Sequence, residues 1–132
     1  MNIFVYGTLK KEYKNLNDFT KVFHEGTQWI GNASVPGILY KVDWYPAYKP
    51  EGKDLVYGEI YQIISSDLLR QLDQYEDAIT EEAYLQQTSK GFFVEADYIR
   101  KEIVVNDITC WIYIYVQEMD KELRIDSGNF IL

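Results

Sequence analysis

The sequence predicts a small α+β domain in which short strands outnumber helices. Several runs of β-branched and aromatic residues, separated by glycine, proline and asparagine, are typical of strands joined by tight turns. One stretch, Leu68 to about Glu76, instead has the apolar spacing of an amphipathic helix. The chain of 132 residues fits one domain, 1–132, and no more. These patterns leave the arrangement of the strands open.

The first predicted strand is Ile3-Phe4-Val5-Tyr6, and it stops at Gly7. Glycine permits backbone angles that other residues resist, and it lets a ligand approach the main chain closely. The turn Gly7-Thr8-Leu9 is expected to expose N–H groups that no sheet ladder satisfies. A carboxylate or an oxyanion is a suitable partner for such groups. A plain β-turn is the alternative interpretation.

A short helix and three further strands are expected next. Asn15 or Asn17 is suited to cap this helix, and His24-Glu25-Gly26 to end it, with His24 facing solvent. The strands are predicted at 27–35, 38–42 and 55–64, separated by a Pro36-Gly37 turn, an aromatic loop at 45–48 and a turn at 50–54. Glu59 lies on an otherwise apolar face of the last of these strands. An edge position with the carboxylate in water would explain it.

The predicted helix from Leu68 to about Glu76 follows Ser65-Ser66-Asp67, whose side-chain oxygens suit a helix N-terminus. Leu69, Leu72 and Glu76 have i, i+3, i+7 spacing, so the face expected to be buried ends in a carboxylate. Glu76 has two interpretations. It is either a solvated charge at a frayed helix end or a partly buried carboxyl group with a raised pKa.

The remainder of the chain divides into an ambiguous segment and a hairpin. The segment from Ala78 to Phe93 fits a helical turn, a strand or an excursion equally well. Strands at 98–105 and 108–116, joined by a tight turn at Asn106-Asp107, are predicted to pair as a hairpin. On the second strand one face is expected to carry Trp111, Tyr113 and Tyr115, and the other Cys110, Ile112, Ile114 and Val116.

Composition and charge argue against several classes of function. The formal net charge is −8, whereas nucleic-acid readers usually present a basic face and anionic lipid attracts positive charge. One cysteine, Cys110, allows no internal disulfide, and with one histidine, His24, it supports neither a catalytic thiol pair nor a structural zinc site. No apolar run approaches the roughly 20 residues of a membrane helix, and no secretory signal is recognisable, so a cytoplasmic location is expected.

Several motifs resemble those of the γ-glutamylcyclotransferase-like (AIG2-like) family. Tyr6-Gly7-Thr8-Leu9 is similar to the family signature at the end of an N-terminal strand, and Leu72-Asp73-Gln74-Tyr75-Glu76 to its helix-borne glutamate motif. Further collinear matches are Pro36-Gly37-Ile38-Leu39-Tyr40, Tyr45-Pro46-Ala47, Val56-Tyr57-Gly58-Glu59-Ile60-Tyr61, Trp111-Ile112-Tyr113 and Ser127-Gly128. Two features depart from the family pattern: Asp77 replaces the usual glycine after the glutamate, and the segment 78–96 is longer than expected. Both lie near the glutamate and therefore bear on substrate choice.

The resemblance implies a fold, a reaction and a set of site residues. The fold is a small mixed α+β barrel with one or two packed helices. The reaction cyclises the γ-glutamyl group of a γ-glutamyl amine or peptide to 5-oxoproline and releases the free amine, by an enzyme of acyltransferase or amidine-lyase type without metal or cofactor. Glu76 is the implied proton-transfer residue. The turn residues Tyr6, Gly7, Thr8 and Leu9, together with Tyr113, are the implied substrate-binding residues.

Two other functions are compatible with the same residues. The first is a non-catalytic protein of the same fold that binds a small ligand and uses Glu76 as the charge partner of an amine. The second is an unrelated acid/base hydrolase that uses two carboxylates, such as Glu59 and Glu76, at a distance that the sequence does not give. The leaving amine and the oligomeric state also stay open at this point.

Overall fold

Eight strands and three helices follow one another along the chain. The structure is a computed structural model that describes residues 1–132. In chain order the elements are β1 (Asn2–Val5), α1 (Asp18–Glu25), β2 (Thr27–Pro36), β3 (Ile38–Val42), β4 (Tyr45–Lys49), β5 (Leu55–Ile63), α2 (Leu68–Glu76), β6 (Ala78–Thr80), α3 (Glu81–Ser89), β7 (Tyr98–Val105) and β8 (Ile108–Tyr115). Two short 3-10 turns lie at Lys11–Tyr13 and Lys121–Leu123. None of the helices is long and apolar enough to cross a membrane.

Six of the strands form one mixed sheet with β1 in its interior. The strand order is β2-β5-β1-β8-β7-β6, and β3 pairs with β4 in a separate hairpin. Strand β1 is antiparallel to β5 and parallel to β8. The end strands β2 and β6 do not pair with each other, and β6 has only three residues, so the sheet is open. The predicted α+β class is confirmed, whereas the implied barrel describes this open sheet only loosely.

Apolar side chains cover both faces of the sheet. Strand β8 sends Ile112 and its even-numbered neighbours to one core and Tyr113 and its odd-numbered neighbours to the other. Strand β1 divides in the same way, because successive residues of a strand point to opposite faces. The second core also receives Phe23 of α1 and Leu72 of α2. Both helices therefore pack on the Tyr113 face, and the two faces of β8 carry the residues predicted for them.

Both predicted helices are present, but α1 continues past the predicted end at Phe23 to Glu25, and the caps differ in detail. Asn17 caps α1 through a reciprocal pair of hydrogen bonds with Thr20. Asp67 makes no such cap on α2, and its carboxylate instead pairs with Arg70 at 3.3 Å. Helix α2 ends at Asp77, which has the left-handed conformation with φ 51°. This is the conformation in which glycine carries no steric penalty.

In two stretches of the chain the sequence-based prediction is either wrong or undecided. Residues 45–49 form strand β4 rather than a loop, paired with β3 across the turn that contains Asp43 (φ 57°). Strand β4 accommodates Pro46 because it is an edge of a two-stranded sheet, where a residue without an N–H is tolerated. The ambiguous segment after Asp77 is an excursion that contains β6 and α3.

Glu59 and His24 do not occupy the solvent positions expected for them. Glu59 lies on β5, which is paired on both sides and is not an edge. Its carboxylate accepts hydrogen bonds from the Lys11 backbone N–H at 2.7 Å and from the Tyr61 hydroxyl at 2.9 Å. His24 is half-buried in the last turn of α1, with its ring edge-on to Phe23 and Tyr61 and its Nε2 atom buried without a partner. Burial lowers the pKa of this imidazole.

The closing segment, residues 124–132, folds back onto the beginning of the chain. Phe130 is fully buried in the same core as Phe4. Lys10, itself buried, donates from Nζ to the Phe130 carbonyl at 2.8 Å and to Asn129 Oδ1 at 3.0 Å. Gly128, with φ 69°, lies so close to the Leu55 carbonyl that a Cβ atom would collide with it. These contacts hold the turn after β1 against the far end of the sequence.

Candidate active site

A cavity of about 180 Å³ opens where β1 ends, between the Gly7 turn, the last turn of α2 and strand β4. The six residues that the sequence singled out, although up to 107 positions apart, all line it: Tyr6, Gly7, Thr8, Leu9, Glu76 and Tyr113. The walls are completed by Trp44, Tyr45 and Pro46 on one side and by Tyr75 and Tyr98 on another. The cavity is therefore largely aromatic, with a small number of polar groups.

The turn after β1 offers backbone donors to this cavity. The Lys10 N–H donates to the Gly7 carbonyl at 3.1 Å and closes the turn. The N–H groups of Gly7, Thr8 and Leu9 donate no hydrogen bond within the protein. Gly7 does not have a positive φ, so the expected freedom of its backbone angles is not what the turn uses. A Cβ atom there would lie 2.5 Å from Pro46 Cγ, and the glycine is required for space.

The cavity tyrosines serve as walls because their hydroxyl protons are used elsewhere. The Tyr6 hydroxyl donates to the Tyr113 carbonyl at 2.6 Å, and the Tyr98 hydroxyl donates to the Pro46 carbonyl at 2.5 Å. The Tyr113 hydroxyl donates to Asp73 Oδ1 at 2.8 Å. Burial, reinforced by nearby negative charge, raises the pKa of all three phenols well above their ordinary value, so they stay neutral.

Asp73 fixes the orientation of α2 relative to the sheet. Besides the Tyr113 hydroxyl, its Oδ1 atom accepts from Arg100 Nε at 2.9 Å. The Arg100 guanidinium in turn lies 4.4 Å from the centre of the Trp111 ring. Leu72, next to Asp73, is completely buried. Because residues three apart on a helix lie on neighbouring positions of its surface, this anchorage directs Glu76 toward the same side of α2.

The Glu76 carboxyl group enters the cavity without a hydrogen-bond partner from the protein. It lies near the hydroxyl groups of Tyr6, Tyr98 and Tyr113, which are already committed to other acceptors. Burial raises the pKa of Glu76 from 4.5 to about 7. Near neutral pH this group is therefore present in both protonation states. It can take up a proton and return it within one reaction.

The remaining charge around the cavity is negative. Asp77 and Asp97 line it beside Glu76, and no lysine, arginine or histidine does. Nowhere in the protein do three or more histidine, cysteine or acidic side chains converge in the manner of metal ligands. The arrangement offers backbone N–H groups to an oxyanion or carboxylate at the Gly7 turn and a carboxyl group to an ammonium at Glu76. An amino-acid-like group fits both.

Sequence reasoning did not find Tyr98, Asp97 or Tyr75. Tyr98 begins a predicted strand, where nothing in the pattern distinguishes a cavity wall from a core aromatic. Asp97 follows a segment whose path was undecided. Tyr75 stands inside the glutamate motif, and its stacking on Phe19 at 4.4 Å was the kind of contact that helical spacing alone does not reveal.

Comparisons with known proteins point to one family. The family model described as gamma-glutamyl cyclotransferase, AIG2-like, matches residues 3–132. The gamma-glutamylcyclotransferase family protein YtfP of Escherichia coli K12 is 28% identical over 132 residues, covering 99% of this chain and 96% of YtfP. Gamma-glutamylaminecyclotransferase A of Danio rerio is 34% identical over 83 residues, which is 58% of this chain and 51% of that protein.

Solved structures share the fold. The solution structure of YtfP from Escherichia coli superposes with a TM-score of 0.68 at 28% identity, covering 99% of this chain and 96% of that one. The crystal structure of an AIG2-like protein from Mus musculus gives a TM-score of 0.65 at 21% identity, with 98% of this chain and 87% of that one covered. The second likeness concerns the fold alone.

Proposed function

Because the chain belongs to the gamma-glutamyl cyclotransferase, AIG2-like family, we propose that it cyclises the γ-glutamyl group of a γ-glutamyl amine or peptide to 5-oxoproline. The free amine is the second product. One observation carries this proposal. A carboxyl group with a pKa of about 7 and no partner in the protein shares a cavity with the unpaired N–H groups of Gly7, Thr8 and Leu9.

The nucleophile in this proposal is the substrate's own α-amine. Glu76 removes one proton from the α-ammonium, and the resulting amine attacks the γ-carbonyl carbon to close a five-membered ring. The bond between that carbon and the leaving nitrogen then breaks, and the leaving nitrogen takes the proton from Glu76. The ring nitrogen gives up its second proton to Glu76, which passes it to the released amine, so that 5-oxoproline and an ammonium leave. Since the attack is intramolecular, holding the substrate in a folded conformation supplies much of the rate. Proton transfer by a carboxyl group contributes further to the rate.

The N–H groups of the Gly7 turn have a defined part in this reaction. These N–H groups hold either the α-carboxylate of the substrate or the oxyanion that develops at the γ-carbonyl group. Neither role requires a side chain, which agrees with the lack of basic residues around the cavity. The tyrosine rings exclude water and keep Glu76 desolvated. Its pKa near neutrality matches the demands of a group that must act first as a base and then as an acid.

The two alternative functions differ in their support. A hydrolase that pairs Glu59 with Glu76 has none, because Glu59 does not line the cavity and its carboxylate already accepts two hydrogen bonds. A non-catalytic ligand-binding protein would use the same cavity and the same Glu76 charge. The chemistry of the products therefore has to separate binding from cyclisation.

The test is a panel of γ-glutamyl amines and γ-glutamyl peptides incubated with the purified protein, with 5-oxoproline as the measured product. We expect release of 5-oxoproline and of one equivalent of amine from at least one member. Binding of a panel member, detected by calorimetry, without any release of 5-oxoproline would contradict the proposal and support the ligand-binding function.

A further inference from the structure

Tyr75 differs from the buried tyrosines of the cavity in the use of its hydroxyl proton. Three of the others donate to protein oxygens at 2.5–2.8 Å, namely Tyr6, Tyr98 and Tyr113. The Tyr75 hydroxyl instead has two neighbours at longer distances, Asn17 Nδ2 at 3.4 Å and Thr8 Oγ1 at 3.5 Å. The direction of these two contacts decides whether its proton is available to a ligand.

The Asn17 amide fixes the direction of the first contact. Its Oδ1 atom accepts from the Thr20 N–H at 2.9 Å, as part of the cap on α1. The other end of the amide, Nδ2, therefore faces Tyr75, and an amide NH₂ group can only donate. The Tyr75 oxygen is the acceptor in this contact, so its proton points elsewhere.

Thr8 and Tyr75 together hold one proton more than the protein can accept. Thr8 is only 6% exposed, and the Tyr75 hydroxyl is the hydrogen-bonding partner of its Oγ1 atom. At 3.5 Å this contact is longer than the about 2.7–2.8 Å that is typical between two hydroxyl groups. Each hydroxyl carries one proton, and a contact between them uses at most one. At least one O–H group therefore lacks a protein acceptor, and both residues line the cavity.

Packing holds the Tyr75 hydroxyl beside the turn that follows β1. The Tyr75 ring stacks on Phe19 of α1, with the ring centroids 4.4 Å apart and the planes inclined by 26°. Tyr45 also lines the cavity with a hydroxyl that makes no hydrogen bond in the protein, but it lies near the charges of Asp43 and Asp97, which repel an anion. An anion in the cavity is therefore favoured on the Tyr75 side.

We propose that the hydroxyl groups of Tyr75 and Thr8 bind the α-carboxylate of the γ-glutamyl group, and that Tyr75 selects substrates in which this carboxylate is free. The inference rests on the proposed cyclisation, which places the α-ammonium of the substrate at Glu76. Tyr75 and Glu76 are consecutive on α2, so their side chains diverge by about 100°. The ammonium and the carboxylate of an amino acid likewise diverge from one carbon atom. No basic residue lines the cavity, so neutral donors have to hold the carboxylate.

Tyr75→Phe tests the proposal, because it removes the hydroxyl and keeps the ring that stacks on Phe19. The substrate is a γ-glutamyl amine from the panel that releases 5-oxoproline. A hydrogen bond to a charged group contributes about tenfold or more to binding. We expect KM to rise about tenfold and kcat to change by less than about threefold, since a carboxylate is bound equally before and during the reaction.

Tyr57→Phe is the matched control. Tyr57 lies on β5, is 48% exposed and does not line the cavity, and its hydroxyl makes no hydrogen bond within the protein. This substitution should change neither KM nor kcat.

Two ligands test whether the hydroxyl acts on the carboxylate. They are 5-oxoproline, which carries the carboxylate, and 5-oxoprolinamide, which has a neutral carboxamide in its place. In calorimetric titrations, the preference of the protein for 5-oxoproline over the amide should fall about tenfold in Tyr75→Phe and stay unchanged in Tyr57→Phe. Equal losses of affinity for the two ligands, or no loss for either, overturn the carboxylate assignment.

Asn17→Asp is a second variant, which leaves Tyr75 in place and keeps the test open if Tyr75→Phe does not fold. Aspartate caps a helix as well as asparagine does, so α1 is retained. The second carboxylate oxygen of the aspartate accepts the Tyr75 proton and diverts it from the cavity. We expect KM to rise about tenfold, but by less than about threefold when Tyr75→Phe is already present. Equal effects in the two backgrounds contradict a role of the hydroxyl.

The remaining outcomes separate this inference from the proposed function. A fall in kcat with an unchanged KM in Tyr75→Phe would assign the hydroxyl to the oxyanion and overturn the carboxylate assignment, while cyclisation stands. Unchanged kinetics in Tyr75→Phe would overturn any role of the hydroxyl in substrate binding. No release of 5-oxoproline from any γ-glutamyl compound by the unaltered protein overturns the proposed function, and the calorimetric comparison then decides the carboxylate site by itself.

Discussion

Glu59 and Glu76 are two half-buried glutamates beside tyrosine rings, and their surroundings differ in one respect. The Glu59 carboxylate accepts hydrogen bonds from the Lys11 N–H and the Tyr61 hydroxyl. The Glu76 carboxyl accepts none, because Tyr6, Tyr98 and Tyr113 donate to other oxygens. Tyrosine neighbours therefore do not by themselves indicate whether a glutamate is structural. What indicates it is whether the tyrosine hydroxyl groups donate to the glutamate or to other oxygens.

This difference separates a group that holds the fold together from one that the fold leaves available. Glu59 ties the 3-10 turn after β1 to the middle of β5. Glu76 is carried into a cavity by an anchored helix and left without donors. Replacing the two residues by the same amide should therefore have opposite consequences for activity and for stability.

The largest expected effect is on turnover. Glu76→Gln keeps the size of the side chain but removes the ability to accept the ammonium proton. We expect kcat for 5-oxoproline release to fall by a factor on the order of 10² to 10⁴, with substrate binding changed much less. Glu59→Gln is the matched control and should retain most of the activity. A folded Glu76→Gln protein with the parental rate would remove Glu76 from the mechanism and erase the contrast.

The next effect is the pH dependence of the reaction. The base must be ionised in the free enzyme, and the pKa of Glu76 is about 7. We expect kcat/KM to decrease about tenfold for each pH unit below that value, down to about pH 5. The Glu59→Gln protein should give the same profile, since Glu59 does not line the cavity. A profile that is flat between pH 5 and 8 would show that no group with the pKa of Glu76 limits the reaction.

Stability should respond to the same two substitutions with opposite sign. The pKa of Glu76 is raised from 4.5 to about 7 in the folded protein, so its contribution is fully present below pH 4.5 and is lost as the pH rises through 7. Glu76→Gln should therefore raise the free energy of unfolding by about 1–3 kcal/mol at pH 8 and by little at pH 4.

Glu59→Gln provides the other half of this comparison. It weakens two charge-assisted hydrogen bonds and should lower the free energy of unfolding by about 1 kcal/mol at pH 8. Urea unfolding at the two pH values measures both changes. A loss of stability in Glu76→Gln at pH 8 would mean that the ionised carboxylate is held by the protein after all.

The smallest effect concerns the residue that ends α2. Asp77 has φ 51°, a left-handed conformation that glycine adopts without a Cβ penalty. Asp77→Gly should raise the free energy of unfolding by about 0.5–1 kcal/mol, measured by urea unfolding, because Asp carries part of the left-handed cost. Asp77→Asn separates charge from backbone and should leave stability nearly unchanged. A destabilised glycine variant would mean that the Asp77 side chain contributes to holding the helix end.

Much of the fold follows from periodic patterns in the sequence. The apolar spacing of Leu69 and Leu72 located α2, and the alternation from Cys110 to Val116 divided β8 correctly between two cores. Both patterns are local, since each depends only on the geometry of one helix or one strand. The family resemblance brought Tyr6 to Leu9 and Glu76 together as candidates, and the structure places them around one cavity.

What the sequence could not provide depends on contacts between distant segments. The need for Gly7 comes from Pro46, which lies on a strand where the sequence predicts a loop. The Tyr98 hydroxyl donates to the Pro46 carbonyl, and the Tyr113 hydroxyl donates to Asp73, a residue of another element. The position of Asp97 beside Glu76 depends on the path of residues 78–93, for which local propensities give no answer. These features are tertiary, and no periodicity encodes them.

The tie between Lys10 and the closing segment has a consequence for synthesis of the chain on the ribosome. The donor turn directly precedes Lys10, whose ammonium is held by Asn129 and Phe130. Strand β1 also lacks one of its two pairing partners until β8, Ile108–Tyr115, has been added. The first part of the cavity to be translated is therefore among the last to be fixed, after about 120 further residues have been added. Until β8 has been added, strand β1 can pair with β5 along one edge only, and its other edge stays open to binding by chaperones.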